Sequence, residues 1–494
     1  MTRSTPYQKR ILPISPDCLL VIIAFLLSRL LASLAGIHFD YDALFRNWQY
    51  PDMDTFKHHL LRGVWYDHTQ PPFFNLLLGW VVQLSGSHAD TVFALLFKAL
   101  SLANALLLLR IIRGLTNNSY HLPLIISLLY VLSPGCILIE NDLLYTSFIS
   151  FLLLLSCGSL IRLSKQPSRL AAFGFFGSLA LICLSRSMYH LVWLLVISIL
   201  VIARLRKSAG IRLLLPYSLG ALLLVGAWYV KNKIIFHQFT ASTWMGMNLS
   251  RNVFHDATSF DSSSIQNIEP FSKISAYNRF LPPGYQDAWK GLDDADLLPE
   301  YKNDTLLNAK QIGYITVSDR YMQASKKEIF AHPVAYLKNV LQSAIIFFAP
   351  VSRYPVVESQ ARKIKWYDVI YSFNLSHFAH GKQQRRVALT LSAIPKLLLY
   401  LLTFGWLIRH CLRNKPFTLK SFFANLTPLQ LFIGGAIGYV FIVSSLCEHF
   451  ENMRFRYEIE PLFLMVAAQA LTALLDKRKQ SSEKSLSGQE TDLT

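Results

Sequence analysis

Long apolar runs alternate with short polar breaks from Cys18 to Val230, and again from Val387 to Leu475. Runs such as Leu122–Ile139 and Leu143–Ile161 are too long and too uniformly apolar for amphipathic core helices. Continuous apolar stretches of about 18 or more residues read as membrane-spanning helices. The pattern predicts spans at Cys18–Gly36, Thr91–Leu109, Leu122–Ile139, Leu143–Ile161, Leu170–Leu184, Tyr189–Ala203 and Leu213–Val230. Val387–Ile408, Leu429–Leu446 and Pro461–Leu475 complete the set. The expected fold is all-α: a polytopic membrane protein of about ten transmembrane helices, with re-entrant or juxtamembrane helices in its outer loops. Its expected divisions are an N-terminus (1–17), an N-terminal transmembrane module (18–230) whose first outer loop covers 37–90, and a large outer-face region (231–386). C-terminal spans (387–476) and a Lys/Ser-rich tail (477–494) follow.

Composition agrees: 52% of the 494 residues are hydrophobic and 16% charged, where a soluble domain carries about 25% charge. The formal net charge of +18 reads as topology rather than nucleic-acid binding. Its Lys and Arg fall mostly between spans, and no nucleic-acid motif accompanies them. The clusters Arg110/Arg113, Arg162/Lys165/Arg169, Arg204/Arg206/Lys207/Arg212, Arg409/Arg413/Lys415/Lys420 and Lys477/Arg478/Lys479 all fall in the cytoplasm in one arrangement, as the positive-inside rule asks. Both termini are then cytoplasmic, and Pro71–Ser85 cannot be a full span without reversing that order. It reads as a re-entrant or interfacial helix on the outer face, and Tyr336–Ala349 likewise. The polar, basic Met1–Pro16 followed by Cys18–Gly36 fits an uncleaved first span better than a signal peptide. The six cysteines show neither metal spacing nor a disulfide framework.

This arrangement collects acids and arginines on one face. Asp52 and Asp54, accompanied by His58, His59 and His68, lie in the first outer loop ahead of Gln70-Pro71-Pro72. A carboxylate there can serve as a general base toward a hydroxyl or bind a cation. The histidine spacing matches no zinc pattern, so a metal stays unassigned. Glu140 and Asp142 sit at the next outer turn, where acids are costly and either functional or simply part of a polar turn. Arg186, in the turn Ser185-Arg186-Ser187, runs against the positive-inside trend and could hold a phosphate or snorkel to headgroups. Arg454 and Arg456, in a charged hairpin from Glu448 to Pro461, share one face only if the segment is extended. Of the sequons, those that begin at Asn248, Asn303 and Asn374 fall on the outer side. No Walker, G-x-S-x-G or dinucleotide motif is present.

In this order the residues resemble the polytopic GT-C type glycosyltransferases, in the branch of protein O-mannosyltransferases and lipid A aminoarabinose transferases. The likeness rests on Asp52-Met53-Asp54, on Tyr66 to Pro71-Pro72-Phe73-Phe74 and on Asp142. His332-Pro333 with Tyr336, and Arg454-Phe455-Arg456-Tyr457 with Glu460-Pro461, complete it. It departs from the family in separating the acids of the first pair by Met53 and in placing His68-Thr69-Gln70 before Pro-Pro. Asp40 and Asp42 are further candidates for the base. The resemblance implies transfer of a sugar, with inversion, from a polyprenyl-phosphate-linked donor to a hydroxyl-bearing acceptor (lipid, glycan or protein). An acid of Asp52, Asp54 and Asp142 would act catalytically, and His68, Gln70, Arg186, Arg454 and Arg456 would hold the lipid phosphate. The leaving charge would be balanced by arginines or by a divalent cation. A lipid or solute transporter, and a ligase using a lipid-diphosphate donor, are the rival readings. Bacterial plasma membrane and endoplasmic reticulum both fit.

Overall fold

The computed structural model describes residues 15–116, 121–254, 310, 312–412, 423 and 425–491. Most of the basic N-terminus, much of the region 231–332 including the Asn303 sequon, and Arg413, Lys415 and Lys420 lie outside the described residues. All named elements are helices: α1 (Pro16–Leu34), α2 (Ala43–Arg46), α3 (Met53–His58), α4 (Leu60–Trp65), α5 (Pro72–Ser85), α6 (Ala89–Leu115) and α7 (Leu122–Leu132). Next come α8 (Pro134–Ile139), α9 (Thr146–Lys165), α10 (Arg169–Ser185), α11 (Leu191–Leu205), α12 (Ile211–Phe236) and α13 (Met245–Val253). After these follow α14 (Gly313–Ala331), α15 (Pro333–Phe348), α16 (Glu358–Lys363), α17 (Lys365–Ser372) and α18 (Gly381–Leu412). The last three are α19 (Pro428–Cys447), α20 (Asn452–Glu458) and α21 (Glu460–Thr491). Among the described residues the one β-type pairing is an isolated bridge between Asp40 and Asp142.

The chain is an all-α, polytopic membrane protein. Among the described residues six helical stretches are long and apolar enough to cross a bilayer, seven if the pair α20–α21, bent by 60°, makes one crossing. Four shorter apolar helices, α7, α10, α11 and α15, pack beside them. The outward faces are aliphatic, as with Leu26, Leu30 and Leu34 on α1 and Leu219 and Leu223 on α12, which suits a hydrocarbon solvent.

One stretch, Pro72–Leu115, is continuous helix apart from a single 3₁₀ turn at Gly86–His88, yet it is no straight rod. Phe73 stacks on Phe148 with ring centroids 6.0 Å apart, and the Asn104 side chain donates to Ser147 O at 3.1 Å. A straight helix would hold residues 73 and 104 ~46 Å apart at ~1.5 Å per residue. The chain therefore folds back at Gly86, whose φ of +54° is a backbone state that glycine adopts without a Cβ penalty. Elsewhere the run Leu122–Ile139, expected as one span, is broken into α7 and α8. Pro134 opens the second helix, and Ser133 caps it through Cys136 N at 3.1 Å. The hairpin Glu448–Pro461 is helical at α20 rather than extended.

The packing is fastened by a buried ion pair between α1 and the end of α8. Arg29 meets Glu140 through two parallel hydrogen bonds, Nε to Oε1 at 2.8 Å and Nη2 to Oε2 at 2.7 Å. It also donates to Val131 O at 2.6 Å and lies over Phe25, 4.3 Å from the ring centroid. A buried pair of this kind is costly to break one-sidedly, because the surviving charge is left dry. Glu140→Ala is therefore expected to lower the thermal unfolding midpoint in detergent strongly, at a cost of about 3–5 kcal/mol. The double change Arg29→Met with Glu140→Leu, removing both charges, should recover most of that loss; equal damage from both variants would refute this account.

Candidate functional site

Two acids distant in sequence are joined by backbone. Asp40 N donates to Asn141 O at 2.8 Å, and Asp40 and Asp142 form a parallel bridge. Paired residues of neighbouring strands sit ~4.8 Å apart, so the two carboxylates are brought together as a dyad. They are not equivalent. Asp40 is held by Arg46, Nη2 to Oδ2 at 2.5 Å. Asp142 is buried, and neither of its carboxylate oxygens has a hydrogen-bond partner among the described residues. Burial, opposed by the Arg454 charge and reinforced by Asp40 and Glu451, pushes the Asp142 carboxyl up to about 7. Desolvation and a neighbouring like charge both favour the neutral acid.

Beside this dyad lies a cavity of about 310 Å³, lined among others by Gln49, Gln70, Tyr145, Arg186, Arg251, Glu448, Glu451 and Arg454. Its charged residues come from the α10–α11 turn, α13, the end of α19 and α20. Arg454 donates to Thr146 Oγ1 at 3.3 Å and pairs with Glu451, while its Nε is buried without a partner among the described residues. Its guanidinium lies 5.0 Å from the Phe455 ring centroid and 5.6 Å from that of Tyr145. Arg186 stacks on Phe455 at 4.0 Å and pairs with the buried Glu458. Arg251 reaches Glu448 at 3.2 Å and Glu451 at 3.5 Å. Three guanidiniums thus meet three carboxylates, Glu458 behind the wall and Glu448 and Glu451 on it, and the unpartnered Arg454 Nε is a donor left over for an anion.

Of the residues singled out in the sequence, Gln70, Arg186 and Arg454 line this cavity; Asp142 is behind its wall, close enough for the charges of Arg454 and Glu451 to bear on its carboxyl. The others lie elsewhere. Asp52 is the N-cap of α3, accepting from Thr55 N at 2.8 Å and Thr55 Oγ1 at 2.9 Å, and Asp54 is exposed, its side chain 75% accessible. Arg456 is two residues from Arg454 on a helix, so it points to the other side of α20. There it pairs with Glu460 and donates to Phe347 O at 2.8 Å. His68 is fully buried, with Nδ1 2.7 Å from Thr243 Oγ1 and Nε2 2.9 Å from Lys310 O. Its burial depresses the imidazole to about 4. The Asn374 amide is buried on Asp368 and Ser352, which withdraws that sequon from modification.

Sequence reasoning missed Asp40 as the partner of Asp142, and also Arg251 and Glu451. Pairing across about a hundred residues leaves no local signal; charge density near Glu448 was the one available hint. As for a cation, no group of three or more His, Cys, Asp or Glu among the described residues is arranged to hold one, so the dyad does not by itself make a metal-holding set.

No family model and no curated protein matches the sequence. Among solved structures the fold is similar to an archaeal oligosaccharyltransferase, AglB from Archaeoglobus fulgidus, determined in complex with an inhibitory peptide and a dolichol-phosphate. The identity is 12% and the TM-score 0.42, over 94% of this chain and 52% of that one. The chain thus spans about half the length of that protein, and a likeness so distant bears on neither substrate nor mechanism.

The first loop is anchored by Asp67. Its carboxylate takes Lys310, Thr69 N at 2.8 Å and Asn75 Nδ2 at 2.9 Å, while Lys231 Nζ donates to its carbonyl at 3.0 Å. Burial pushes this carboxyl up, but Lys310 and the Thr69 donors outweigh it and hold it below the usual range. A depressed carboxyl contributes stability above its unfolded pKa of about 3.9, and loses it as pH falls through the folded value. The stability gap between wild type and Asp67→Asn should therefore shrink as pH falls from about 5 to about 3. Thermal unfolding across that range checks it, and a gap that widens on acidification would contradict it.

Proposed function

We propose that the chain is a membrane glycosyltransferase that moves a sugar from a polyprenyl-phosphate-linked donor to a hydroxyl-bearing acceptor with inversion. The observation that carries this reading is the Asp40–Asp142 dyad, with both Asp142 oxygens buried and unpartnered beside a cavity rich in guanidinium groups. A base must be free to accept a proton and titrate near working pH, and Asp142 suits both needs. The Asp40 charge, paired with Arg46, raises its neighbour's proton affinity, so environment gives the two acids different roles. They take the place of Asp52 and Asp54 as the acids of the first outer loop and its partner turn.

In this mechanism the acceptor hydroxyl gives its proton to Asp142 as its oxygen attacks the anomeric carbon. The bond from that carbon to the phosphate oxygen breaks on the opposite face, and the electron pair leaves on the lipid phosphate. Arg454 and Arg186 face the charge that develops there, where a water-poor wall makes each interaction stronger than in bulk. Gln70 lies within the same cavity as a neutral donor for the sugar or phosphate. The positive-inside rule assigns this face to the outside or lumen, with both termini cytoplasmic. Arg251, a third guanidinium at the cavity, favours the ligase with a lipid-diphosphate donor as the second reading.

Transfer from radiolabelled polyprenyl-phosphate sugars in membranes, run with and without chelator and against a diphosphate donor, tests the proposal. Asp142→Asn and Asp40→Asn are each expected to lower transfer by about 10²-fold or more, while Asp52→Asn and Asp54→Asn stay within a few-fold of wild type. The reverse ranking would sink the assignment. Because the base works deprotonated, kcat/KM should rise with pH and level off above an apparent pKa near the value of about 7 held by Asp142. A profile flat between pH 5 and 9 would remove Asp142 from that role.

A further inference from the structure

A second cavity, of about 210 Å³, lies on the other side of α20, where Arg456 and Glu460 line it together with Lys396. Ser392, Pro395, Lys396 and Leu399 all line it, and their spacing puts them on one face of α18. Lys396 lies within the apolar stretch Gln383–Leu412. Its ion pair with Glu460, at the start of α21, holds it at the outer boundary of the apolar helices, where a buried cation calls for a partner.

Pairing accounts for only part of its charge. Lys396 Nζ meets Glu460 Oε1 at 2.5 Å, but the same carboxylate also takes Arg456. Arg456 is spent, its remaining donors resting on Phe347 O and Ala349 O. Lys396 has no other described partner, and an ammonium offers three donors. Two cations on one carboxylate leave the cavity with one uncompensated positive charge, and the Lys396 side chain is 32% accessible. Its neighbours Leu391, Ile394, Leu398 and Leu402 are exposed on the lipid-facing side of the same helix.

The remaining wall belongs to the membrane boundary. Helix α17 exposes Trp366 and Ile370 and carries Lys365, the make-up of an interfacial helix. Tyr371 and Phe373 at its end line the cavity. Phe373 has a left-handed φ of +56°, a costly state for a bulky residue that persists where surrounding structure enforces it, often at ligand sites. The enforcement is visible: buried Asp368 ties the turn together through Ser352 at 2.8 Å, Asn374 at 2.8 Å and His377 at 2.7 Å.

We propose that this cavity is a binding site for the phosphate headgroup of a membrane amphiphile, with Lys396 as its counter-ion and the tail leaving past Leu399, which lines the cavity and is exposed at its edge. The site is separate from the dyad cavity, and its existence does not depend on the transferase reading.

The test uses the purified full-length chain in detergent, with dioleoyl phosphatidic acid, dioleoylglycerol and inorganic phosphate as probes and bound lipid counted by native mass spectrometry. Phosphatidic acid should bind to wild type, and Lys396→Gln should weaken that binding about ten-fold or more, since a charge-assisted hydrogen bond is lost. Lys396→Arg should retain it. Should Lys396→Gln fail to fold, Leu399→Trp fills the cavity from the same helix face and must produce the same loss. The proposal is overturned if Lys396→Gln binds as wild type does or if dioleoylglycerol binds equally well. Displacement of the lipid by inorganic phosphate at matching concentration would also overturn it, because the site would then select free phosphate rather than an amphiphile.

Discussion

Burying charge without leaving any of it dry is the constraint around which this molecule is arranged, and it is met most densely at α20. That one short helix carries Arg454, Arg456 and Glu458, all buried, with Glu460 directly after it. An isolated ion in such surroundings would cost several kcal/mol, so every one of them recruits an element from elsewhere. Glu458 draws in Arg186 from the α10–α11 turn, and Glu460 draws in Lys396 from α18. Glu451, just before the helix, holds Arg454 and Arg251. The polar face of the protein is therefore assembled by neutralisation, while the helices beneath it are sorted by apolar packing.

Helical geometry gives this assembly two sides. Residues two apart on a helix point about 200° apart at ~3.6 residues per turn, so Arg454 and Arg456 serve different cavities although they are near neighbours in sequence. The first cavity has acids and guanidiniums with hydrogen-bonding capacity to spare; the second has a single excess cation facing aliphatic side chains. A thin partition thus separates a chemically demanding compartment from a lipid-like one.

The helical, membrane-spanning character of the chain was legible because hydropathy is a local property and a bilayer sets its length scale. Breaks inside apolar runs were less so: Ser133-Pro134 is hidden in Leu122–Ile139, and Lys396 is one charge in an otherwise apolar stretch. The site was legible in part. Arg186, Arg454 and Gln70 stood out by their positions, but Asp52 attracted attention for a local reason and has a local job as a helix cap. Asp40 acquires meaning only through its contact with a turn about a hundred residues later. Local pattern carries no information about such a closure; backbone pairing in three dimensions does.

The Asp40–Asp142 bridge also bears on how the protein lives in a fluid, variable solvent. Transmembrane helices tilt and shift to match bilayer thickness, and side chains carried on two independently moving spans would drift apart with every change in lipid. Here the acids are fixed by main-chain hydrogen bonding between the segment leaving α1 and the turn leaving α8, and Arg29 and Glu140 staple the same two segments from below. The relative position of the two residues is thereby set by the peptide backbone and insulated from changes in bilayer thickness.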